Sequence, residues 1–335
     1  MTVNLALDVM GGDHGPDEII PAAMHALQQH PELHLLLVGQ EQVMQEKLQR
    51  FPAADKTRYQ LINAGEVVEM DENPASALRN KKDSSMRIAI NQVKDGHAHA
   101  CVSAGNTGAL MAISRYVLKM LPGIDRPAIC ASLPGIKGDV CILDLGANVD
   151  SDAEQLLQFA IMGSELSRAV HNLRQPTVGL LNVGAEEIKG NDRVKQAALL
   201  LENSYLNYVG FVEGNDLYAG EIDVIVCDGF AGNIALKASE GVAEFIIHHA
   251  RSTFESTFYG RLAAIVSMPI LRTMQEKIDP RRYNGASLLG LRGIVIKSHG
   301  SADKVSFAHA IDEAIQEVEN NVPDRISDQL EALFH

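Results

Sequence analysis

Residues 221–237, EIDVIVCDGFAGNIALK, constrain the fold of this chain more than any other stretch. The short β-branched apolar run over 223–227 has the composition of a strand buried on both faces. It breaks at Asp228-Gly229-Phe230-Ala231-Gly232-Asn233, and a helical pattern follows over 234–250. A strand that feeds a helix through a polar, glycine-bearing turn aims backbone N–H groups over the strand end, where an anion is favoured. The unit recurs along the chain, and the recurrence sets the class. Strands alternating with helices make a mostly parallel sheet covered on both faces, a three-layer α/β/α fold.

Strands are predicted over 4–9, 33–39, 59–64, 98–103, 177–183, 209–213 and 293–296. Helical periodicity fills 17–29, 40–50, 109–121, 153–171, 303–320 and 324–333, with further helices ending near Lys94 and Asn203. Pro16 suits a first helical turn, Asp83 or Ser84 suits an N-cap, and Ser151-x-x-Glu154 reads as a capping box. Strands over 127–133 and 139–145 flank a Gly/Pro turn and predict an antiparallel pair, whereas 283–290 reads as a glycine-punctuated loop. No linker or repeat interrupts the pattern, so residues 1–335 are read as a single domain with a projecting amphipathic helical segment at about 250–282. At 335 residues and 46% hydrophobic, the chain is long enough for a large core.

The formal charge of −14, the lack of Trp and an aromatic content of 5% argue against nucleic acid as a partner. Cys101, Cys130, Cys141 and Cys227 lie in apolar strand-like runs without C-x-x-C spacing, which predicts buried thiols rather than disulfides or a zinc site. The first residues read as a strand, and no apolar run reaches the roughly 18 residues of a membrane span. The expectation is a cytoplasmic protein.

Five predicted strands end in turns of Asp, Asn, Ser and Gly, after Val9, Ser103, Leu145, Asn182 and Cys227. Ligands bind at the carboxyl ends of parallel strands, so the five turns are expected to line one cleft. Common fingerprints fail: G-x-G-x-x-G after a strand, G-x-x-x-x-G-K-[ST], G-x-S-x-G and H-E-x-x-H are all missing. What is present suits an anion held by neutral donors and a few cations. Lys189 lies beside Asn182, Gly190 and Asn191, where a lysine can hold phosphate or polarise a carbonyl. Arg79, Lys81, Lys82, Ser84 and Ser85 form a second anion-friendly helix start, and His299 sits in a Ser-His-Gly turn at a strand end.

Six motifs, taken in order, carry a resemblance: Leu7-Asp8-x-Met10-Gly11-Gly12-Asp13, Lys82-x-Ser84-Ser85-Met86, Ser103-Ala104-Gly105-Asn106-Thr107-Gly108, Asp144-x-Gly146-Ala147-Asn148, Asn182-x-Gly184-x-Glu186-x-x-Lys189-Gly190 and Asp228-Gly229-Phe230-x-Gly232-Asn233. Together they resemble the bacterial phosphate acyltransferase of phospholipid synthesis, which moves an acyl chain from acyl carrier protein to phosphate. The resemblance runs from about Asn4 to His299-Gly300. Val9 and Asn284 depart from its usual pattern.

The resemblance implies a fold related to phosphotransacetylase and isopropylmalate dehydrogenase, usually as a homodimer. It implies catalytic Lys189 and Asn233. Substrate binding falls to Asp8, Gly11, Gly12, Lys82, Ser84, Ser85, Ser103, Gly105, Asn106, Thr107, Asp144, Asn148, Asn182, Glu186, Asp228, Gly229, Phe230, Gly232 and His299. Acyl carrier protein, inorganic phosphate, the inner membrane surface and a downstream membrane acyltransferase are the implied partners, with no cofactor and no metal.

That chemistry fits the residues. Phosphate is its own nucleophile and a thiolate leaves readily, so positioning and oxyanion stabilisation are what the protein must supply. Alternatives are a phosphotransacylase using acyl-CoA, an NAD-dependent decarboxylating dehydrogenase, and a non-catalytic membrane-associated scaffold.

Over 254–274, Phe254, Phe258, Leu262 and Ile265/Val266 recur at helical spacing among Arg251, Arg261, Arg272 and Lys277. Two uses are open: packing on the core or in a dimer interface, or a helical hairpin bent near Pro269 whose apolar tip meets a membrane surface. Arg281-Arg282 are a candidate meeting point for an acidic carrier protein.

Overall fold

The computed structural model describes residues 2–278 and 283–334. Eleven strands form one sheet: β1 (Val3–Asp8), β2 (Leu33–Gly39), β3 (Tyr59–Asn63), β4 (Ala100–Ser103), β5 (Ala128–Leu133), β6 (Val140–Leu143), β7 (Thr177–Leu181), β8 (Asn207–Val212), β9 (Val224–Val226), β10 (Ala286–Leu289) and β11 (Ile294–Lys297). Their order is β3-β2-β1-β4-β11-β10-β5-β6-β9-β7-β8. The helices are α1 (Pro16–Gln29), α2 (Glu41–Leu48), α3 (Pro74–Asn80), α4 (Ser85–Lys94), α5 (Thr107–Leu118), α6 (Ala153–Val170), α7 (Asp192–Glu202), α8 (Gly229–Glu255), α9 (Phe258–Ile278), α10 (Lys304–Glu319) and α11 (Val322–Phe334).

The mostly parallel, three-layer α/β/α reading holds. Around β1, β2, β4 and β11, helices α1 and α10 bury Ile20, Leu27, Phe307 and Ile311 on one face, while α4 and α5 bury Met86, Ile90, Leu110 and Ile113 on the other. Around β6, β7 and β9, helices α6, α7 and α11 bury Leu156, Phe159, Leu201 and Ile326 on one face, and Ala231, Ala235 and Leu236 of α8 pack against the other. Strand residues with near-zero exposure on both faces, such as Val224, Ile225 and Val226, are what their unbroken apolar runs predict.

Three local expectations shift. The segment read as a loop over 283–290 contains β10, which pairs antiparallel with both β11 and β5. The box that opens α6 is Asp152 with Gln155, one residue on from Ser151-x-x-Glu154, because the Asp152 carboxylate reaches the Gln155 N–H at 2.8 Å. The helical hairpin turns at Ser256-Thr257, between α8 and α9, and Pro269 lies inside α9. Ser84 does cap α4, accepting from the Arg87 N–H at 3.3 Å.

The antiparallel β10 has a larger consequence. β5 and β6 are antiparallel as well, so β6, β9 and β7 run opposite to β1, β4 and β11. The sheet therefore has two parallel halves of opposite direction, and their carboxyl ends lie on opposite edges.

All four cysteines are free and buried, as expected. Cys130 and Cys141 sit inside a polar pocket of the core with His171, Glu313 and Glu317. Cys141 Sγ is 3.7 Å from His171 Nε2, and Glu317 Oε1 has no hydrogen-bond partner among the described residues. Burial, with the Cys141 sulfur adding to it, pushes the Glu313 carboxyl up to about 7. A carboxyl raised in the folded state binds its proton more tightly there than when unfolded. Its ionisation therefore costs no stability below about pH 4.5, costs more as pH rises towards 7, and costs a constant amount above that. Glu313→Gln is expected to stabilise the protein at pH 8 by on the order of 2 kcal/mol, a value reduced for the residue's partial exposure. At pH 4.5 it should change little. Urea melts at the two pH values check this, and equal effects at both would refute the assignment.

Candidate functional site

The turns named from the sequence form two clusters. At the ends of β1, β4 and β11, three loops close on one another. A Cβ on Gly12 would lie 2.8 Å from the Gly300 carbonyl and 2.9 Å from Ala104 Cβ, and one on Gly11 would lie 2.7 Å from Asp8 Oδ2 and 2.8 Å from Gly105 N. Gly12 also has φ +86°, so glycine is required there twice over. Asp8 is fully buried. Its Oδ2 accepts from Ser103 Oγ at 2.7 Å, its Oδ1 finds no partner among the described residues, and burial outweighs the Ser103 and Ser85 hydroxyls to hold its pKa above the usual carboxylate range.

Lys297, also buried, ends β11 with its Nζ donating to the Ala104 and Ser298 carbonyls. Burial lowers its pKa to about 8. The Asn284 side chain clamps the neighbouring turn, accepting from the His299 N–H at 2.8 Å while donating to Ser298 Oγ and the Ser306 carbonyl. Lys82 and Thr107 are exposed at the rim of this cluster, beside Ser84 and Ser85.

The second cluster gathers at the ends of β6, β7 and β9. Asp144 accepts from the Ile129, Gly146, Ala147 and Asn148 N–H groups and from Asn148 Nδ2. Burial nevertheless raises its pKa. Asp228 caps α8 by accepting from the Ala231 N–H at 2.8 Å. Gly229 and Gly232 allow the start of α8 to press on this frame: a Cβ on Gly229 would lie 2.6 Å from the Asn148 carbonyl oxygen, and one on Gly232 would overlap the Asp144 carbonyl. The exposed Asn233 follows, its amide laid against Gly146, whose φ is +123°. In the neighbouring loop, Asn182 donates to the Gly184 carbonyl, and Glu186 and Lys189 are exposed. Arg193 at the start of α7 pairs with Asp150 at 2.5 Å and lies close enough to feel the Asp228 charge, which ties the β6, β7 and β9 ends together.

Two of the predicted ligands have their amide N–H groups engaged within the protein. Asn106 donates to the Glu69, Met70 and Glu72 carbonyls and caps Ala109 of α5, and Asn148 Nδ2 is shared between Pro127 O and Asp144. Lys189, Asn233 and His299 remain exposed.

The two clusters are not remote. Sheet twist of about 20–25° per strand accumulates over the five steps from β4 to β9 to roughly a right angle, so the opposed edges swing towards one another. Helix α8 completes the link. It starts against Asp144 and Asn148, and Lys237, on the next turn after Asn233, brings its Nζ to 3.4 Å from His299 Nε2. Residues four apart share one helix face, so Asn233 and Lys237 are separated by about 6 Å along the axis. The expected single cleft is a two-ended one. Lys237, Lys297 and Asn284 belong to it and were missed in the sequence; the i, i+4 spacing of Lys237 from Asn233 was the available signal.

Beyond these first turns α8 packs on α9, forming a hairpin that carries exposed Phe258, Leu262, Ile265, Val266 and Ile270. Arg281 and Arg282 lie outside the described residues. Among the described residues no helix is long and apolar enough to cross a membrane.

A family model described as "Fatty acid synthesis protein" matches residues 3–325. A phosphate acyltransferase of Methylococcus capsulatus is 57% identical over 330 residues, spanning 98% of this chain and 97% of that protein. Another, from Halorhodospira halophila, is 55% identical over 333 residues, spanning 99% and 97%. Among solved structures, a phosphotransacetylase from Streptococcus pyogenes is similar in fold, with a TM-score of 0.63 at 18% identity, covering 95% of this chain and 94% of that one.

Proposed function

The chain belongs to the phosphate acyltransferase family and is an enzyme that transfers an acyl group to phosphate; from that premise we propose that its donor is a fatty acyl chain on acyl carrier protein and that the acyl phosphate feeds phospholipid synthesis. In this reaction an oxygen of hydrogen phosphate bonds to the thioester carbonyl carbon, the C–S bond breaks, and the phosphate proton ends on the departing thiol. What the protein must add is placement of two reactants and stabilisation of a transient oxyanion.

The observation that supports this most is that Lys189 and Asn233 are both exposed on the turns after β7 and β9, beside Asp144, Asn148 and Asn182, which are already hydrogen-bonded within the protein. Lys189 is assigned to the carbonyl oxygen of the thioester and Asn233 to its orientation. Exposed Val183, Ile188 and Phe230 line the approach with apolar surface suited to an acyl chain.

The deciding experiment follows free thiol released from acyl carrier protein and from the matching acyl-CoA, each with and without phosphate. Phosphate-dependent release that favours the carrier-bound donor is expected. Equal or faster use of acyl-CoA would make the protein a phosphotransacylase of CoA esters, and release independent of phosphate would sink the reading.

Two further parts of the proposal concern surfaces. The outward stripe of α8 further along, with Ile234, Val242 and Phe245 exposed, fits a homodimer contact. The α8–α9 hairpin fits peripheral attachment to the cytoplasmic face of the membrane, next to an acyltransferase that consumes the product. Leu262→Glu with Ile265→Glu is expected to release the protein from anionic phosphatidylglycerol vesicles in a flotation assay while leaving turnover of soluble substrates intact. Undiminished flotation would refute the attachment.

A further inference from the structure

We propose that inorganic phosphate is seated by Lys237 and His299 above the buried Lys297, one helical turn along α8 from Asn233. This inference rests on the acyl-transfer reading and adds to it the place where the acceptor binds.

Three basic groups converge here from two elements far apart in the chain. Lys237 Nζ and His299 Nε2 are 3.4 Å apart, both residues are exposed, and the buried Lys297, bonded to the Ser298 carbonyl next to His299, is close enough for its charge to act on the ring. The site is built rather than accidental. Asn284 fixes the His299 backbone, and His299 Nδ1 meets Ser301 Oγ at 2.8 Å. The Ser301 N–H donates to Nδ1 at 3.3 Å, so the ring proton sits on Nε2, facing Lys237 Nζ, and two donors point at the same place. Lys237 is steered by Glu240, at 2.8 Å on the next turn of α8.

Charge points the same way. The hydrogen-bond partners of Lys297 Nζ are two carbonyls, and the nearby acids act on it only through space: Asp8, whose burial favours its protonated form, and Asp13. Burial lowers the pKa of both Lys297 and His299, and the Lys237 charge adds to it in each case. Two lysine charges act on the His299 ring, partly offset by the Glu240 and Asp13 carboxylates, and a phosphate anion seated between them would be held by the remainder.

Position then gives the site its purpose. About 6 Å along α8 separates Lys237 from Asn233, which is the scale of one phosphate ion. An anion held by Lys237 and His299 can present an oxygen to a thioester carbonyl placed at Asn233 and Lys189. The two ends of the cleft divide the work: acceptor at the β11 end, acyl carbonyl at the β9 end.

The test is direct binding of inorganic phosphate to the full-length protein with no acyl donor, by calorimetry or by phosphorus NMR line broadening. Lys237→Gln is expected to weaken binding about tenfold and to raise the phosphate KM by a similar factor, with kcat within about threefold; His299→Gln should weaken it several-fold. Lys237→Arg should recover part of the loss. Lys189→Gln should leave phosphate binding as it was, and unchanged thermal midpoints establish that the variants fold. Wild-type affinity in Lys237→Gln would overturn the proposal, as would the absence of phosphate binding in the wild type or its loss in Lys189→Gln. Because binding is read without an acyl donor, failure of the acyl-transfer reading shows up separately, as a protein that binds phosphate yet releases no thiol.

Discussion

Gly232→Ala is expected to cost more than about 3 kcal/mol of folding stability, or to prevent folding outright. Substitutions that overpack a close-packed core typically cost about 1–3 kcal/mol, and this one exceeds the ordinary case. The new methyl would overlap the Asp144 carbonyl oxygen and stand 2.9 Å from Cys227 Sγ. The first obstacle is backbone, so no side-chain rotation relieves it. Only a shift of α8 away from the end of β6 would, and that shift breaks the cap at Asp228 and moves Asn233 off Gly146. Gly241→Ala is the natural control. It lies on the exposed part of the same helix with nothing within 4 Å of its Cβ position, where alanine is favoured over glycine by about 1 kcal/mol. Urea melts of both variants should move in opposite directions. A Gly232→Ala protein with wild-type stability would mean that α8 does not rest on β6 as described.

Lys189→Ala is expected to lower kcat by about 10²–10³-fold, the usual result of deleting one donor that stabilises an oxyanion. Among the described residues its ammonium makes no hydrogen bond or ion pair, and the side chain is exposed, so its removal should leave the melting midpoint in place. Arginine at this position keeps the charge but not the compact ammonium, and should recover only part of the rate. Steady-state kinetics with acyl carrier protein as donor decide the matter. Turnover within a few-fold of wild type would remove Lys189 from the reaction.

Much of the architecture is legible in the sequence because its signals are local. Unbroken apolar runs such as 223–227 specify strands buried on both faces, and glycines next to Asp or Asn specify the turns. What escapes is non-local. β10 is a four-residue strand between glycines, and its partner β5 lies about 150 positions earlier; nothing within either segment reveals that they run antiparallel. Three antiparallel pairings in a row, β11–β10, β10–β5 and β5–β6, together reverse half of the sheet and divide the five turns between two edges.

Side-chain engagement is hard to read from sequence for a related reason. Asn106 and Asn148 look like ligands in a one-dimensional reading, yet their amides are consumed by carbonyls of loops 34 and 21 positions away. Lys297 follows the strand predicted over 293–296, and nothing local in the sequence marks that the fold encloses it. Capping residues failed by one position where Ser151-x-x-Glu154 and Asp152-x-x-Gln155 overlap, since spacing alone does not choose between them.

Helix α8 also governs which changes of chain length this protein can accept. Exposed helices usually tolerate an added or deleted residue, with the disturbance absorbed at the nearer end. Between Gly232 and Lys237 a single insertion would turn the two residues apart by about a further 100° and lengthen their separation by about 1.5 Å. Gly232 is held against Asp144 and Lys237 faces His299, so neither end can follow. This short span is therefore closed to insertion and deletion despite its solvent exposure, whereas the reversal at Ser256-Thr257 is open to both.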